Sequence, residues 1–192
     1  MDRICDLPSF IVTGASASGK TTLVEQAIAG GYTYIPTHTT RPPRPGEVPD
    51  VHGVFLSKRQ FEDKFRQGLY IEGLLGLEFA YMSEIDVYYG SPHKQVDLLK
   101  GNGFCSSPVS TQIARRVFFM CGGDVSWIHL ECDDQTRRRR LRQRGITPAE
   151  VETRMTFGDS LQAPGEAIVV DTSRIAAESL FGRVKQLLRY RD

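Results

Sequence analysis

Pro8-Ser9-Phe10-Ile11-Val12-Thr13-Gly14-Ala15-Ser16-Ala17-Ser18-Gly19-Lys20-Thr21-Thr22-Leu23-Val24 is the most informative run in this 192-residue chain. Phe10, Ile11 and Val12 form a short apolar stretch closed by a glycine, the pattern of a parallel strand buried on both faces. Gly14-x-x-x-x-Gly19-Lys20-Thr21 follows, and a helical pattern then runs to residue 29, where Gly30-Gly31 stops it. Strand, glycine-rich turn and helix in that order make the turn a phosphate-binding loop (P-loop). Glycines let successive N–H groups turn toward an anionic oxygen, and the helix N-terminus adds partial positive charge. Gly14, Ala15, Ser16, Ala17, Ser18, Gly19, Lys20, Thr21 and Thr22 are therefore expected to bind a nucleoside triphosphate. Lys20 would reach its β- and γ-phosphates, and the Thr21 hydroxyl would hold Mg²⁺.

Outward from this run, strand patterns at 32–36, 51–56, 69–72, 104–110, 125–130 and 167–171 alternate with helical ones. The helices are expected over 57–67 with Ser57 as N-cap, 92–100, 111–118, an arginine-rich stretch capped by Asp133 or Asp134 and ended by Gly145, 148–160, and a terminal helix capped by Ser173. Residues 73–89 give no clear pattern. Such alternation predicts one α/β domain with a mainly parallel sheet flanked by helices.

Composition narrows the class. Apolar residues make up 40% and charged residues 24%, ordinary for a globular protein and too apolar for a disordered one. A net charge of +1 argues against a nucleic-acid coat or a polybasic membrane anchor. No apolar run approaches the roughly 18 residues of a membrane span, and residues 1–6 lack the pattern of a signal peptide. Cys5, Cys105, Cys121 and Cys132 show no CxxC spacing, and His38, His52, His93 and His129 form no paired motif. Reduced thiols in a cytoplasmic protein, a monomer or homodimer without zinc chemistry, are expected. Small size and the lack of an NKxD element point to a small-molecule kinase.

Thr37-His38-Thr39-Thr40-Arg41-Pro42-Pro43-Arg44-Pro45-Gly46-Glu47 supplies a second anion site. Two arginines three apart, braced by prolines, present planar forks with little entropy left to lose, an arrangement suited to one phosphate. Farther on, Thr136-Arg137-Arg138-Arg139-Arg140-Leu141-Arg142-Gln143-Arg144 is too basic for a core. Helical periodicity puts Arg137, Arg140 and Arg144 on one face and leaves Arg138 and Arg142 for solvent. Guanidinium groups stabilise the charge that develops in phosphoryl transfer. A nucleic-acid patch is the rival reading of this helix, but it lacks interleaved aromatics.

These pieces resemble the guanylate kinase family. Besides the P-loop, the chain carries Thr39-Thr40-Arg41-Pro-Pro-Arg44-Pro-Gly46-Glu47, Phe55-Leu56-Ser57, Tyr70-Ile71-Glu72, Tyr89-Gly90-Ser91 and Arg140-Leu141-Arg142-Gln143-Arg144-Gly145 in the family's order. The resemblance implies a P-loop kinase fold with a core over 8–36 and 92–192, an acceptor-binding insertion over about 37–91 and an arginine-rich lid over about 137–155. It implies ATP as co-substrate with Mg²⁺, and a nucleoside monophosphate acceptor such as GMP or dGMP. Arg41, Arg44 and Tyr89 would grip the acceptor phosphate, while Glu72, Thr37 and Ser91 would read the base. Arg140, Arg144 and Arg154 would close over ATP and, with Lys20 and Arg44, carry catalysis.

The likeness breaks in three places. Residues 49–55 lack the tyrosine that follows the family's Gly-Glu element, and His52 is not expected to replace it. The 73–88 connection is longer than usual; Tyr81-Met82-Ser83 is a rival match for Tyr89-Gly90-Ser91, which alone keeps the glycine. The stretch Phe104-Cys105-Ser106-Ser107-Pro108-Val109-Ser110-Thr111-Gln112 lacks the family's Asp-x-Asp acids, for which Glu84 or Asp86 could substitute. Ribose 1,5-bisphosphate phosphokinases, which look like guanylate kinases, and non-catalytic guanylate-kinase-like binding modules are the alternatives those changes leave open.

Overall fold

Phe10–Gly14 forms β1, and its alternation feeds the two larger apolar cores, one on each face of the sheet. In a computed structural model, which describes residues 8–44, 46–71, 79–82, 87–107, 110–159 and 163–189, β1 is the middle strand of five. Around it stand β2 (Thr33–Ile35), β7 (Phe104–Ser106), β8 (Ser126–Glu131) and β9 (Ile168–Asp171), in the order β2-β7-β1-β8-β9 and all parallel. Phe10 and Val12 face α1 (Lys20–Ala29) and α7 (Leu180–Arg189), packing with Leu23, Val24, Ala27, Leu180, Val184 and Leu188. Ile11 points the other way, into a core shared with Trp127, with Val96 and Leu99 of α3 (Lys94–Leu99), and with Ile113 and Val117 of α4 (Thr111–Met120). Covering both faces is what a parallel sheet requires.

A second sheet of four short strands lies between β2 and α3 in the chain: β3 (His38–Thr39), β4 (Val54–Phe55), β5 (Phe79–Met82) and β6 (Val87–Gly90), ordered β4-β3-β6-β5. Between β4 and β5, α2 (Lys58–Arg66) starts with a capping box in which Ser57 and Gln60 satisfy each other's N–H groups. Asp133 caps α5 (Asp134–Gln143) by accepting from Thr136 N at 2.7 Å. Thr147 and Glu150 bond reciprocally at the start of α6 (Pro148–Asp159).

Several elements differ from expectation. The patternless 73–89 region contains the β5–β6 hairpin, with Tyr81 opposite Tyr88. Of the 69–72 strand, the described residues 69–71 form one antiparallel bridge, Tyr70 to Pro92, and Glu72 lies outside the described residues. The 51–56 strand shrinks to Val54–Phe55, and the 104–110 strand ends at Ser106, because Ser110 turns to cap α4 through Ile113 N at 3.2 Å. Ser173 does not cap the terminal helix: its backbone N–H and its hydroxyl are both engaged by Asp171 Oδ1. That helix begins at Leu180 after a 3₁₀ turn over Ala177–Ser179.

Candidate active site

β1 ends at Gly14, whose φ of 140° is closed to other residues; a β-carbon there would also sit 2.3 Å from the Leu130 carbonyl oxygen. The chain then wraps to Gly19 and enters α1 at Lys20. Lys20 Nζ donates to the Gly14 and Ala15 carbonyls at 2.6 and 2.8 Å. Burial, followed by the fields of Arg144, Arg44 and Arg137, lowers its pKa from 10.5 to about 7.

The arginine forks of the proline-rich loop share one organiser. Glu47 accepts from both terminal nitrogens of Arg41, at 2.6 and 2.8 Å, and from the Arg44 backbone N–H at 2.8 Å. It also lies 3.8 Å from the Arg44 guanidinium. Burial would raise the Glu47 pKa, but these bonds and charges outweigh it and hold the carboxyl below its usual range. Arg41 is further fixed over the Phe55 ring, 5.2 Å from its centroid.

One cavity joins the two regions. Gly14, Ser16, Ala17, Gly19, Lys20 and Thr21 line one side, and Thr37, Arg41, Arg44, Glu47 and Tyr89 another. Arg144 and Arg154 enter from the end of α5 and from α6. Burial and the neighbouring Arg154 and Arg140 lower the Arg144 pKa, and burial with Arg41 does the same to Arg44. Five basic side chains face one acid, Glu47, among the described lining residues, so the cavity is built for anions. Much of its remaining wall is hydroxylic, including Tyr34, Ser107, Ser110 and Thr111, the last three in the stretch where the resemblance calls for acids.

Not every expected residue reaches the cavity. Ala15, Ser18 and Thr22 are in or beside the loop but do not line the cavity, and Ser91 is fully buried and does not line it either. Arg140 sits on the outer side of the P-loop, donating to the Ala17 carbonyl at 3.1 Å and to the Thr172 carbonyl at 2.9 Å. Arg137 is 4% exposed and donates to the Ser16 and Arg154 carbonyls. Arg138 is not simply solvated, since it pairs with Glu152.

The sequence motifs alone leave Glu47, Tyr34 and the hydroxyl wall outside the expected set of site residues. Glu47 had a readable signal, being the one acid in the expected arginine loop. His52 does line the cavity, but its Nδ1 is taken by the Val48 N–H at 2.8 Å.

The guanylate kinase family model matches residues 8–97. The guanylate kinase of Neisseria gonorrhoeae is 38% identical over 97 residues, half of this chain and 43% of that protein. The chain therefore spans well under two thirds of this relative. The guanylate kinase of Alkalilimnicola ehrlichii is 30% identical over 145 residues, covering 74% of this chain and 68% of its own length. In fold, the crystal structure of guanylate kinase from Anaplasma phagocytophilum superimposes with a TM-score of 0.61 at 19% identity, covering 95% of this chain and 85% of that one. On these matches, the chain belongs to the guanylate kinase family.

Proposed function

We propose that this protein is an ATP-dependent nucleoside monophosphate kinase that phosphorylates GMP, dGMP or a modified relative. The observation carrying this reading is the single cavity shared by a backbone-built P-loop with Lys20 and the Glu47-braced forks of Arg41 and Arg44. A triphosphate on the first and a monophosphate on the second would be juxtaposed for in-line transfer of the γ-phosphoryl group, with no covalent enzyme intermediate.

In this reading the loop amides and Lys20 hold the β- and γ-phosphates, and Arg41, Arg44 and Tyr89 hold the acceptor phosphate. Thr37, which lines the cavity, would read the base together with Glu72, as family likeness suggests, whereas the buried Ser91 supports the strand behind it. Arg144 and Arg154 spread over the oxygens of the transferring group and stabilise charge there. Mg²⁺ fits the donor set: the Thr21 hydroxyl is exposed on the cavity, and this ion takes most of its ligands from phosphate and water. When bound, it would neutralise charge between the β- and γ-phosphates.

The test is a coupled assay of the purified protein with ATP, Mg²⁺ and a panel of ribo- and deoxynucleoside monophosphates. Diphosphate formed from guanine nucleotides is expected. Failure with every acceptor would reject the reading.

A further inference from the structure

We propose that Arg137, Arg140 and Thr172 are positioning residues that set the P-loop's amides from its outer face, so that the donor site is strapped by side chains the nucleotide never touches. The inference rests on the reading that this loop holds a triphosphate. Its basis is where the loop's carbonyl groups go. Gly14 and Ala15 oxygens accept from Lys20, and Ala15 oxygen also accepts from Ser18 N at 3.2 Å. Gly19 oxygen accepts from Leu23 N at 3.0 Å, the first bond of α1. The three oxygens between are held from outside the loop: Ser16 by Arg137 Nε at 3.4 Å, Ala17 by Arg140 Nη1 at 3.1 Å, and Ser18 by Thr172 Oγ1 at 2.8 Å.

In a planar trans peptide, a carbonyl and the following N–H point in opposite directions. Drawing the Ser16 and Ser18 oxygens outward therefore turns the N–H groups of Ala17 and Gly19 inward, and both residues line the cavity. The Ala17 carbonyl is a telling case. Ala17 has φ 64°, left-handed backbone that a β-carbon resists, so its conformation must be imposed by neighbours. Arg140 grips its oxygen, and its methyl group packs with Leu141 of α5 and with Val151 and Met155 of α6.

The three straps are tied together. Thr172 is 2% exposed, its hydroxyl also lies 3.0 Å from the Glu131 carbonyl, and it accepts from Arg140 Nη1 at 3.2 Å. Arg140 Nη1 also reaches Cys132 Sγ at 3.4 Å. Arg137 pairs with Asp134 at 3.2 Å and donates to the backbone carbonyl of Arg154 at 3.3 Å. The same buried guanidinium thus fixes one peptide of the P-loop and one turn of the helix that carries a cavity arginine. Arg137 and Arg140 are one helical turn apart, which is why one face of α5 serves both carbonyls.

The test uses Thr172→Val, which keeps the shape and removes the hydroxyl, beside Thr172→Ser, which keeps the hydroxyl. ATP affinity is read by calorimetry, and KM for ATP and for acceptor by the coupled assay. Thr172→Val should weaken ATP binding about tenfold, the scale of a lost buried hydrogen bond. Acceptor KM should stay within twofold, and Thr172→Ser should restore ATP binding. If Thr172→Val proves too unstable to assay, Arg140→Gln carries the same expectation. ATP binding unchanged in these variants, or ATP and acceptor KM rising together, would overturn the proposal. Wild-type protein that binds ATP but phosphorylates no monophosphate would refute the kinase reading alone, since the affinity comparison would still stand. Wild-type protein that binds no triphosphate would end both.

Discussion

The donor and acceptor sides of the cavity attract the same kind of ligand by opposite constructions. The P-loop is made of main chain: its carbonyls are tied back by Lys20, Arg137, Arg140 and Thr172, leaving amides to meet an anion. The 41–47 loop is made of side chains, with one carboxylate organising two guanidinium forks on a proline frame. Amide dipoles fixed by the fold need little reorganisation on binding, whereas forks depend on the group that aims them. Damage to the first side should therefore appear in ATP terms, and damage to the second in acceptor terms.

Lys20→Ala should have the largest effect. Removing the one cationic side chain inside the P-loop is expected to lower kcat/KM about 10²–10³-fold, as loss of a transition-state donor does. The fold should not suffer, because burial already disfavours the Lys20 charge. Steady-state kinetics beside a melting curve check this; a collapse in melting temperature would mean that Lys20 is structural.

The same residue makes the donor side sensitive to pH. The pKa of Lys20 is lowered to about 7, and bound polyphosphate would raise it by supplying opposite charge. The complex then holds a proton that the free protein has lost above pH 7. ATP affinity should be full below pH 7 and fall as pH rises from 7 toward 9, by up to tenfold per unit. Calorimetry in buffers of different ionisation enthalpy should detect proton uptake at pH 8, and Lys20→Arg should flatten the profile. A flat profile in the wild type would show that the amides alone dominate the donor side.

On the acceptor side, Glu47→Gln should raise acceptor KM about tenfold and leave ATP affinity unchanged, since the bidentate pair that aims the Arg41 fork is lost and the acceptor that holds the Arg44 backbone is weakened. The sign is the informative part. The variant cavity is more positive, so if charge alone mattered, acceptor KM would fall.

Sequence patterns revealed the donor side more fully than the acceptor side, and the reason is physical. A P-loop depends on glycine spacing and on strand-helix context, both of which are local. The face on which Arg137, Arg140 and Arg144 lie is also local, but the direction in which that face points is not. Arg144 lines the cavity, while Arg137 and Arg140 turn to P-loop carbonyls more than 120 residues away in sequence. Ser173 had the composition of a cap yet is captured by Asp171, and Ser110 became one where a strand was expected. The hydroxyl wall of Ser107, Ser110 and Thr111 was legible only as missing acids, because an absence in a motif does not say what the remaining groups line.

The smallest effect should come from Gly90→Ala, in the hairpin strand that presents Tyr89. The backbone there is unstrained, so only space is at issue. A β-carbon at Gly90 would lie 2.7 Å from the Tyr70 ring. That ring cannot easily retreat, because it is 1% exposed, stacks on Phe61 with centroids 4.7 Å apart, and donates to or accepts from His38 Nδ1 at 3.0 Å. Overpacking of this kind costs about 1–3 kcal/mol, so the melting temperature should drop by several degrees. β6 should shift rather than break, moving Tyr89 and raising acceptor KM a few-fold with ATP affinity intact. An unchanged acceptor KM beside a lowered melting temperature would mean that Tyr89 does not hold the acceptor phosphate, leaving the grip to the two arginines.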